Sequence, residues 1–488
     1  MKSVYRLISV LCLALFALSA CQKQAPSRPN ILFILADDWS YPYASIYGDS
    51  SIRTPNLDRL AQHGTVFTNA YCASPSCTPS RAAMLTGRYP HNLGEGVNLC
   101  GRLDHSVPTY VQLLEKEGYS VAFDRKGWAP GDFLKMGYTQ NPAGDSAKLG
   151  FGPFIDQLPK DKPFFFWFGT NDPHRPFTLG DGKKAGIDPQ KIRLPAFLPD
   201  VPEIRSDVAD YLSEVERFDR EIGDLLTKLE SSGQLANTII VVASDNGMPF
   251  PHAKANLYDY GTRVPLLISR FSEAASQPKR NDSFVNLIDL MPTFLDWAGV
   301  KERPELDGIS LVPVLAGQKP IHRSEVFLER ERHCLCRAEF DNGAGYPMRA
   351  IRTNEYLYIQ NFRPDRMPAG DETIPNTPSI FGDVDGGPTK IYMMDHRKDA
   401  AVKNLFTLGF DKRPAEELYI LKDDPYNLHN RAGEAGYAQT TKALGQRLEA
   451  WMKQENDPRL GGGGDQIDKY ESTTHAWITR DGIIFWDK

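Results

Sequence analysis

Apolar residues fall into short unbroken runs separated by longer stretches with a periodic pattern. Ile31-Leu32-Phe33-Ile34-Leu35-Ala36 has no polar interruption. A strand with one wet face would alternate, so this run suits a parallel strand buried on both faces. Gly118–Phe123, Pro163–Gly169, Thr238–Ala243 and Val264–Ser269 are further strands of this kind. Thr54–Gly64, opened by Thr54-Pro55, reads as a helix, as do Ser80–Leu85, Val107–Gly118 and Phe284–Ala298. The clearest helix is Asp207–Ser231, with Leu212, Val215, Phe218, Ile222 and Leu225 on one face. Strands alternating with helices predict an α/β fold with an open, doubly wound, mostly parallel sheet.

The texture changes after about Gly343. Arg352–Ile359 reads as an edge strand, Pro364–Lys390 as a proline- and glycine-rich excursion, Glu417–Leu421 as a strand and Thr440–Gln454 as a helix. These predict a smaller α+β C-terminal subdomain. At the other end, Lys2 and Arg6 precede the apolar run Leu7–Leu18, which is too short to span a bilayer comfortably. Leu18-Ser19-Ala20-Cys21 resembles a bacterial lipobox. That resemblance implies cleavage before Cys21 and lipidation of its thiol, and Gln22 favours the outer membrane. The expected organisation is a lipoprotein signal peptide at 1–20, a tether at 21–28, a catalytic domain at 29–342 and the C-terminal subdomain at 343–488. The expected address is the cell envelope, periplasmic or outer-membrane anchored, with the membrane touched through the lipid anchor only.

Composition narrows the class. Over 488 residues, 41% are hydrophobic and 24% charged, which excludes a disordered chain, a fibrous repeat and a polytopic membrane protein. With 56 basic and 62 acidic residues the net charge is −6, so no basic footprint for nucleic acid exists. Outside the leader stand Cys72, Cys77, Cys100, Cys334 and Cys336. An odd count in an exported protein leaves at least one thiol unpaired or chemically special. Cys334 and Cys336 lack zinc-site spacing.

Two pairs of oxygen-bearing residues follow buried strands. Asp37-Asp38 comes directly after the first, and Ser244-Asp245-Asn246-Gly247 stands in the same relation to the fourth. Ligands in doubly wound sheets gather at the carboxyl ends of strands, and adjacent carboxylates there repel unless a cation compensates them. Three carboxylates and an amide oxygen suit Ca2+, with Mg2+ as the alternative.

Cys77-Thr78-Pro79-Ser80-Arg81, followed by Leu85-Thr86-Gly87-Arg88, matches the C-x-P-S-R and L-T-G-R signature of the formylglycine-dependent sulfatases. The resemblance runs over essentially the whole chain after the leader and implies an alkaline-phosphatase-like fold. It implies that Cys77 is oxidised to Cα-formylglycine by a formylglycine-generating or anaerobic sulfatase-maturating enzyme. The hydrated aldehyde attacks sulfur with one hydroxyl and expels sulfate with the other, next to a metal held by Asp37, Asp38, Cys77, Asp245 and Asn246. Arg81 would hold the formylglycine, Lys126 takes the place of the lysine in the family's G-K-W-H motif, Lys254 would clamp the sulfate, and His174 would protonate the leaving group. Two positions depart from the family pattern. Trp128 stands where its G-K-W-H motif has histidine, and Asn171 where H-x-P-H-x-P has its first histidine. Tyr258–Pro265 is similar to a further family motif. Met248-Pro249-Phe250-Pro251 and Phe197-Leu198-Pro199-Asp200 look closest to the heparan N-sulfatase branch.

The substrate implied is a sulfated saccharide, exo-cleaved in polysaccharide or glycosaminoglycan breakdown. Its candidate contacts are His91, Asn98, Arg102, His105 and Arg175, polar residues in loops near the motifs that suit sulfated or uronic-acid sugars. Gly382–Lys390 is a candidate specificity loop over the pocket. Two other readings use the same residues: a phosphatase or phosphodiesterase with Thr78 as nucleophile, and a glycan-binding lipoprotein in which Cys77 stays a thiol.

Overall fold

The computed structural model describes residues 28–159, 162–271, 278–338, 344–373, 380–461, 464–472, 475–478 and 484–487. The signal peptide, Cys21 and the tether up to residue 27 lie outside them. Among the described residues, no helix is long and apolar enough to cross a membrane.

The large sheet is built from β1 (Asn30–Ala36), β2 (Gly64–Tyr71), β3 (Ser120–Arg125), β4 (Asp145–Ser146), β5 (Phe164–Gly169), β6 (Thr238–Ser244), β7 (Arg263–Arg270) and β8 (Lys279–Asn286). Their order is β4-β3-β5-β1-β6-β7-β2-β8. All neighbours are parallel except at β7, which runs against both β6 and β2. β1 is buried along its whole length. Its alternate residues feed two separate cores, Leu32 and Ile34 on one face, Ile31, Phe33 and Leu35 on the other. That two-sided burial is why the run shows no alternation.

Helices cover both faces: α1 (Pro55–Ala61), α2 (Cys77–Thr86), α3 (Tyr110–Lys116), α4 (Phe151–Gln157), α5 (Pro202–Ser231) and α6 (Leu290–Ala298). Phe151 of α4 and Leu212, Val215 and Phe218 of α5 pack on the Leu32 face. Met84 of α2, Tyr110 of α3 and Phe294 of α6 pack on the other. The expected doubly wound α/β architecture is therefore present.

A four-stranded antiparallel sheet, in the order β12-β11-β10-β9, forms the second unit. It contains β9 (Glu325–Arg330), β10 (Met348–Thr353), β11 (Tyr356–Asn361) and β12 (Glu416–Ile420). α7 (Pro388–Asp395) and α8 (Lys403–Phe410) put Met393, Phe406 and Phe410 into the core on the Leu32 face of the large sheet. α9 (Ala438–Gln454) instead runs beside the small sheet, where its Leu444, Leu448 and Trp451 pack against Ile351, Tyr358 and Leu418.

Several expectations need correction. Arg352–Ile359 is a hairpin of two interior strands, not one edge strand: Thr353 and Tyr356 flank its turn. β9 belongs to the small sheet, so that sheet begins before residue 343. Phe284–Asn286 ends β8 rather than starting a helix. β2 went unread because a bulge between Phe67 and Ala70 breaks its alternation.

Candidate active site

β1 pairs with β6 in parallel, with Ala36 opposite Ser244. The two acidic turns therefore leave the same edge of the sheet side by side. The carboxylates of Asp37, Asp38 and Asp245 and the thiol of Cys77 come together, all four buried, with one ligand atom of each within 4.8 Å of the others. Asp38 adopts φ 71°, a left-handed conformation uncommon for a residue with a Cβ, and its N–H donates to Asp245 Oδ1 at 3.2 Å. Asn246 Nδ2 donates to Asp38 Oδ1 at 2.5 Å, which turns Asn246 Oδ1 away with no hydrogen-bond partner in a buried position. A sealed acceptor without a donor, beside three carboxylates, fits an oxygen-coordinated divalent cation. The acidic residues are thus able to hold a metal.

Three cations close the cluster. Arg81 Nε donates to Asp245 Oδ2 at 2.8 Å, and its Nη1 reaches the carbonyls of Lys126 and Gly127 at 2.9 and 2.8 Å. Lys126 Nζ lies 2.5 Å from Asp37 Oδ2 and 3.6 Å from Cys77 Sγ. Lys254 Nζ sits between Asp38 Oδ2 at 2.6 Å and Asp385 Oδ2 at 3.2 Å. Burial alone would raise the Asp37 carboxyl, but Lys126, His174 and Arg81 outweigh it and hold that group well below the carboxylate range. Asp245 is pushed up to about 6 by burial and by Asp37, against the pull of Arg81. Burial and the Asp37 charge push the Cys77 thiol well up.

Cys77 opens α2, which places it at the positive end of that helix. It faces a cavity of about 480 Å³ shared with Asp37, Lys126, Lys254 and His174. His174 Nδ1 meets the Arg175 carbonyl at 2.5 Å. A carbonyl only accepts, so Nδ1 carries the proton and Nε2, 3.8 Å from Asp38 Oδ2, is the nitrogen free to exchange one. The floor thus offers a buried residue at a helix start, three cationic or protonatable groups and a metal cradle. It can bind a tetrahedral anion and hand a proton to whatever leaves it.

Cys77, Arg81, Lys126, Lys254, His174 and the candidate metal ligands Asp37, Asp38, Asp245 and Asn246 meet in this one place. The saccharide candidates mostly do not. His91 is buried with Nδ1 2.8 Å from Glu329 Oε2. The side-chain Oδ1 of Asn98 accepts from the Arg332 N–H at 3.0 Å. Arg102 pairs with Glu95 and Glu471, and His105 lies edge-on to Tyr138. None of these four lines the cavity. Arg175 does, but its guanidinium is clamped by Asp207 at 2.9 and 2.6 Å and stacked over Phe177 and Phe250. Polarity in a loop does not distinguish an internal partner from an external one. Thr78 is also committed, donating to the Pro130 carbonyl and accepting from the Cys100 N–H at 3.2 Å.

Trp128 is fully buried in the core under the sheet and gives the cavity no polar contact. An imidazole arrives from elsewhere. His333 lines the cavity and places Nδ1 2.8 Å from the hydroxyl of Ser76, the residue before Cys77. Burial pushes its pKa down to about 3, which keeps the ring neutral. Glu214 and Arg217 of α5 line the same cavity, as does Asp385, whose pKa is about 2 because Lys254 and His174 outweigh burial. His333, Glu214 and Arg217 carried no sequence signal. Asp385 lies inside the glycine-rich stretch Gly382–Lys390, the one hint that pointed to it.

The sulfatase family model matches residues 29–300, and a model described as N-sulphoglucosamine sulphohydrolase, C-terminal, matches residues 251–365. The chain is 29% identical to human N-sulphoglucosamine sulphohydrolase, over 92% of this chain and 94% of the relative. It is 27% identical to an ulvan-active sulfatase of Formosa agariphila, over 89% and 76%. Its fold is similar to a structure solved with its substrate D-glucosamine-2-N,6-O-disulfate, with TM-score 0.64, 22% identity and coverage of 88% and 98%.

Proposed function

The chain belongs to the sulfatase family, and on that premise we propose that it removes sulfate from the end of a sulfated saccharide, with N-sulfated glucosamine as its first candidate. The observation that carries this is Cys77 at the start of α2, facing one cavity with the oxygen cradle, Lys126, Lys254 and His174. The cavity, about 480 Å³, has the size that encloses a small ligand rather than a polymer, which supports exo action. The choice of sugar is supported by the human relative and by the match of the C-terminal model.

Formylglycine at position 77, once hydrated, supplies two hydroxyls on one carbon, and a divalent ion, Ca2+ by the hardness of its oxygen donors, supplies positive charge beside them. Asp37, Asp38, Asp245 and Asn246 would hold that ion. Arg81 fixes Asp245 and the start of the loop that carries Lys126. Lys126 and Lys254 face the sulfate oxygens, and His174 gives its Nε2 proton to the departing atom. His333 shapes the wall beside the nucleophile through Ser76. We further propose that a maturating enzyme converts Cys77 and that lipid on Cys21 anchors the protein in the cell envelope.

The test is a sulfate-release screen on defined mono- and disaccharide sulfates. It uses protein whose Cys77 conversion is verified by mass spectrometry. Release from glucosamine N-sulfate supports the reading. No release from any saccharide sulfate by fully converted enzyme overturns it. Loss of membrane association in a Cys21→Ala variant is the matching test of the anchor.

A further inference from the structure

We infer that Asp385 sets the choice of leaving group, favouring a departing amine over a departing alcohol, and so an N-sulfate over an O-sulfate. This rests on the sulfatase reading of the site. Asp385 is 6% exposed and lines the cavity. One of its carboxylate oxygens belongs to a cluster with His174 and Asp38, with the three ligand atoms within 4.8 Å of one another. The residue assigned to protonate the leaving atom therefore has a negative charge at its side.

The segment that carries Asp385 is fixed rather than loose. Asp383, two residues earlier, accepts from Arg330 at 2.7 Å, Arg337 at 2.6 Å and the Cys334 N–H at 2.7 Å. Lys390 donates to the Phe381 and Val384 carbonyls at 3.1 and 2.8 Å. Thr389 Oγ1 donates to Asp207 at 2.6 Å. Gly387 packs so closely on the clamped Arg175 guanidinium that a Cβ would fall 2.3 Å from its Nη1. A carboxylate held this firmly is preorganised for a charge that develops in one place.

The sign of that charge decides the preference. When an O-sulfate is cleaved, the S–O bond breaks and its electron pair goes to oxygen, which becomes negative until His174 protonates it. A carboxylate alongside opposes this. When an N-sulfate is cleaved, nitrogen takes the His174 proton first, so R–NH2+–SO3− carries a positive charge on nitrogen until the S–N bond breaks and its electron pair returns there. Overall R–NH–SO3− and water give R–NH3+ and SO4 2−, with charge conserved. The amine leaves as R–NH2 and takes its second proton from the water consumed overall, so the carboxylate attracts both the protonated nitrogen before cleavage and the ammonium product. The salt bridge from Lys254 to Asp385 also orients that lysine, but orientation alone would affect all sulfates equally.

The experiment compares wild type with Asp385→Asn, both with Cys77 converted and equal thermal midpoints, on glucosamine N-sulfate, glucosamine 6-O-sulfate and 4-nitrophenyl sulfate. The expected result is a fall of about tenfold or more in the ratio of kcat/KM on the N-sulfate to kcat/KM on the O-sulfates, over and above any loss common to all three substrates. Equal losses on all substrates, or a wild type that cleaves O-sulfates but not the N-sulfate, overturns the inference and leaves the sulfatase reading standing. No sulfate release from any substrate overturns that reading itself. Should the variant not fold, wild type alone still decides. Glucosamine, a cation, is expected to inhibit about tenfold better than glucose, and equal inhibition overturns the inference.

Discussion

Arg81 Nε and Asp245 Oδ2 lie 2.8 Å apart, and neither side chain is exposed at all. This contact ties the first turns of α2 to the turn after β6, so the helix that presents Cys77 is fastened directly to the metal cradle. Removing one member of a buried pair strands the other in a medium that solvates charge poorly. Arg81→Ala is expected to lower the unfolding free energy by about 3–5 kcal/mol in urea titrations. Arg81→Lys keeps the charge but not the planar fork and should recover only part of that. A midpoint equal to wild type in the alanine variant would show that the pair is not under strain of burial.

Cys77→Ala removes the side chain at the head of α2 without touching the salt bridges around it. Sulfate release should fall by more than about a thousandfold, while the thermal midpoint moves by only a few degrees. Retention of wild-type turnover would assign the nucleophile elsewhere.

Metal removal probes the oxygen cradle. Dialysis against a chelator is expected to abolish activity, and Ca2+ to restore it more fully than Zn2+, because the donors are carboxylates and an amide rather than thiolates and imidazoles. Asp245→Asn should lower the bound divalent ion measured by elemental analysis. Unchanged metal content would remove Asp245 from the ligand set.

Asp289 supplies a pH signature far from the cavity. Burial would raise its carboxyl, yet Arg323 at 2.6 Å and His322 at 2.9 Å bring it down from 3.8 to about 2. A group depressed in the folded state stabilises above its unfolded pKa and loses that contribution as pH falls through the folded one. The stability gap between wild type and Asp289→Asn should be constant above about pH 4 and shrink by roughly 2 kcal/mol between there and about pH 2. A gap that grows toward low pH would contradict the sign.

Linear order alone determined a good deal here. The unbroken run Ile31–Ala36 announces a two-faced buried strand, because only a strand covered on both sides dispenses with alternation. The short signature from Cys77 to Arg88 and the acidic pairs at Asp37 and Asp245 stand within a few residues of the strand ends or helix that carry them. Local chain geometry therefore delivers them to the carboxyl edge. What needed the tertiary structure depends on distant segments meeting. The pairing of β1 with β6 brings Asp38 to Asn246. The reversal of β7, the recruitment of β9 to the small sheet and the loss of His91 and Asn98 to internal partners are likewise settled by long-range contacts. The same holds for the cavity wall, where His333 and Asp385 come from after β9 and before α7. Their ring and carboxylate carry no spacing relative to Cys77, since pairing across hundreds of residues leaves no periodicity in the chain.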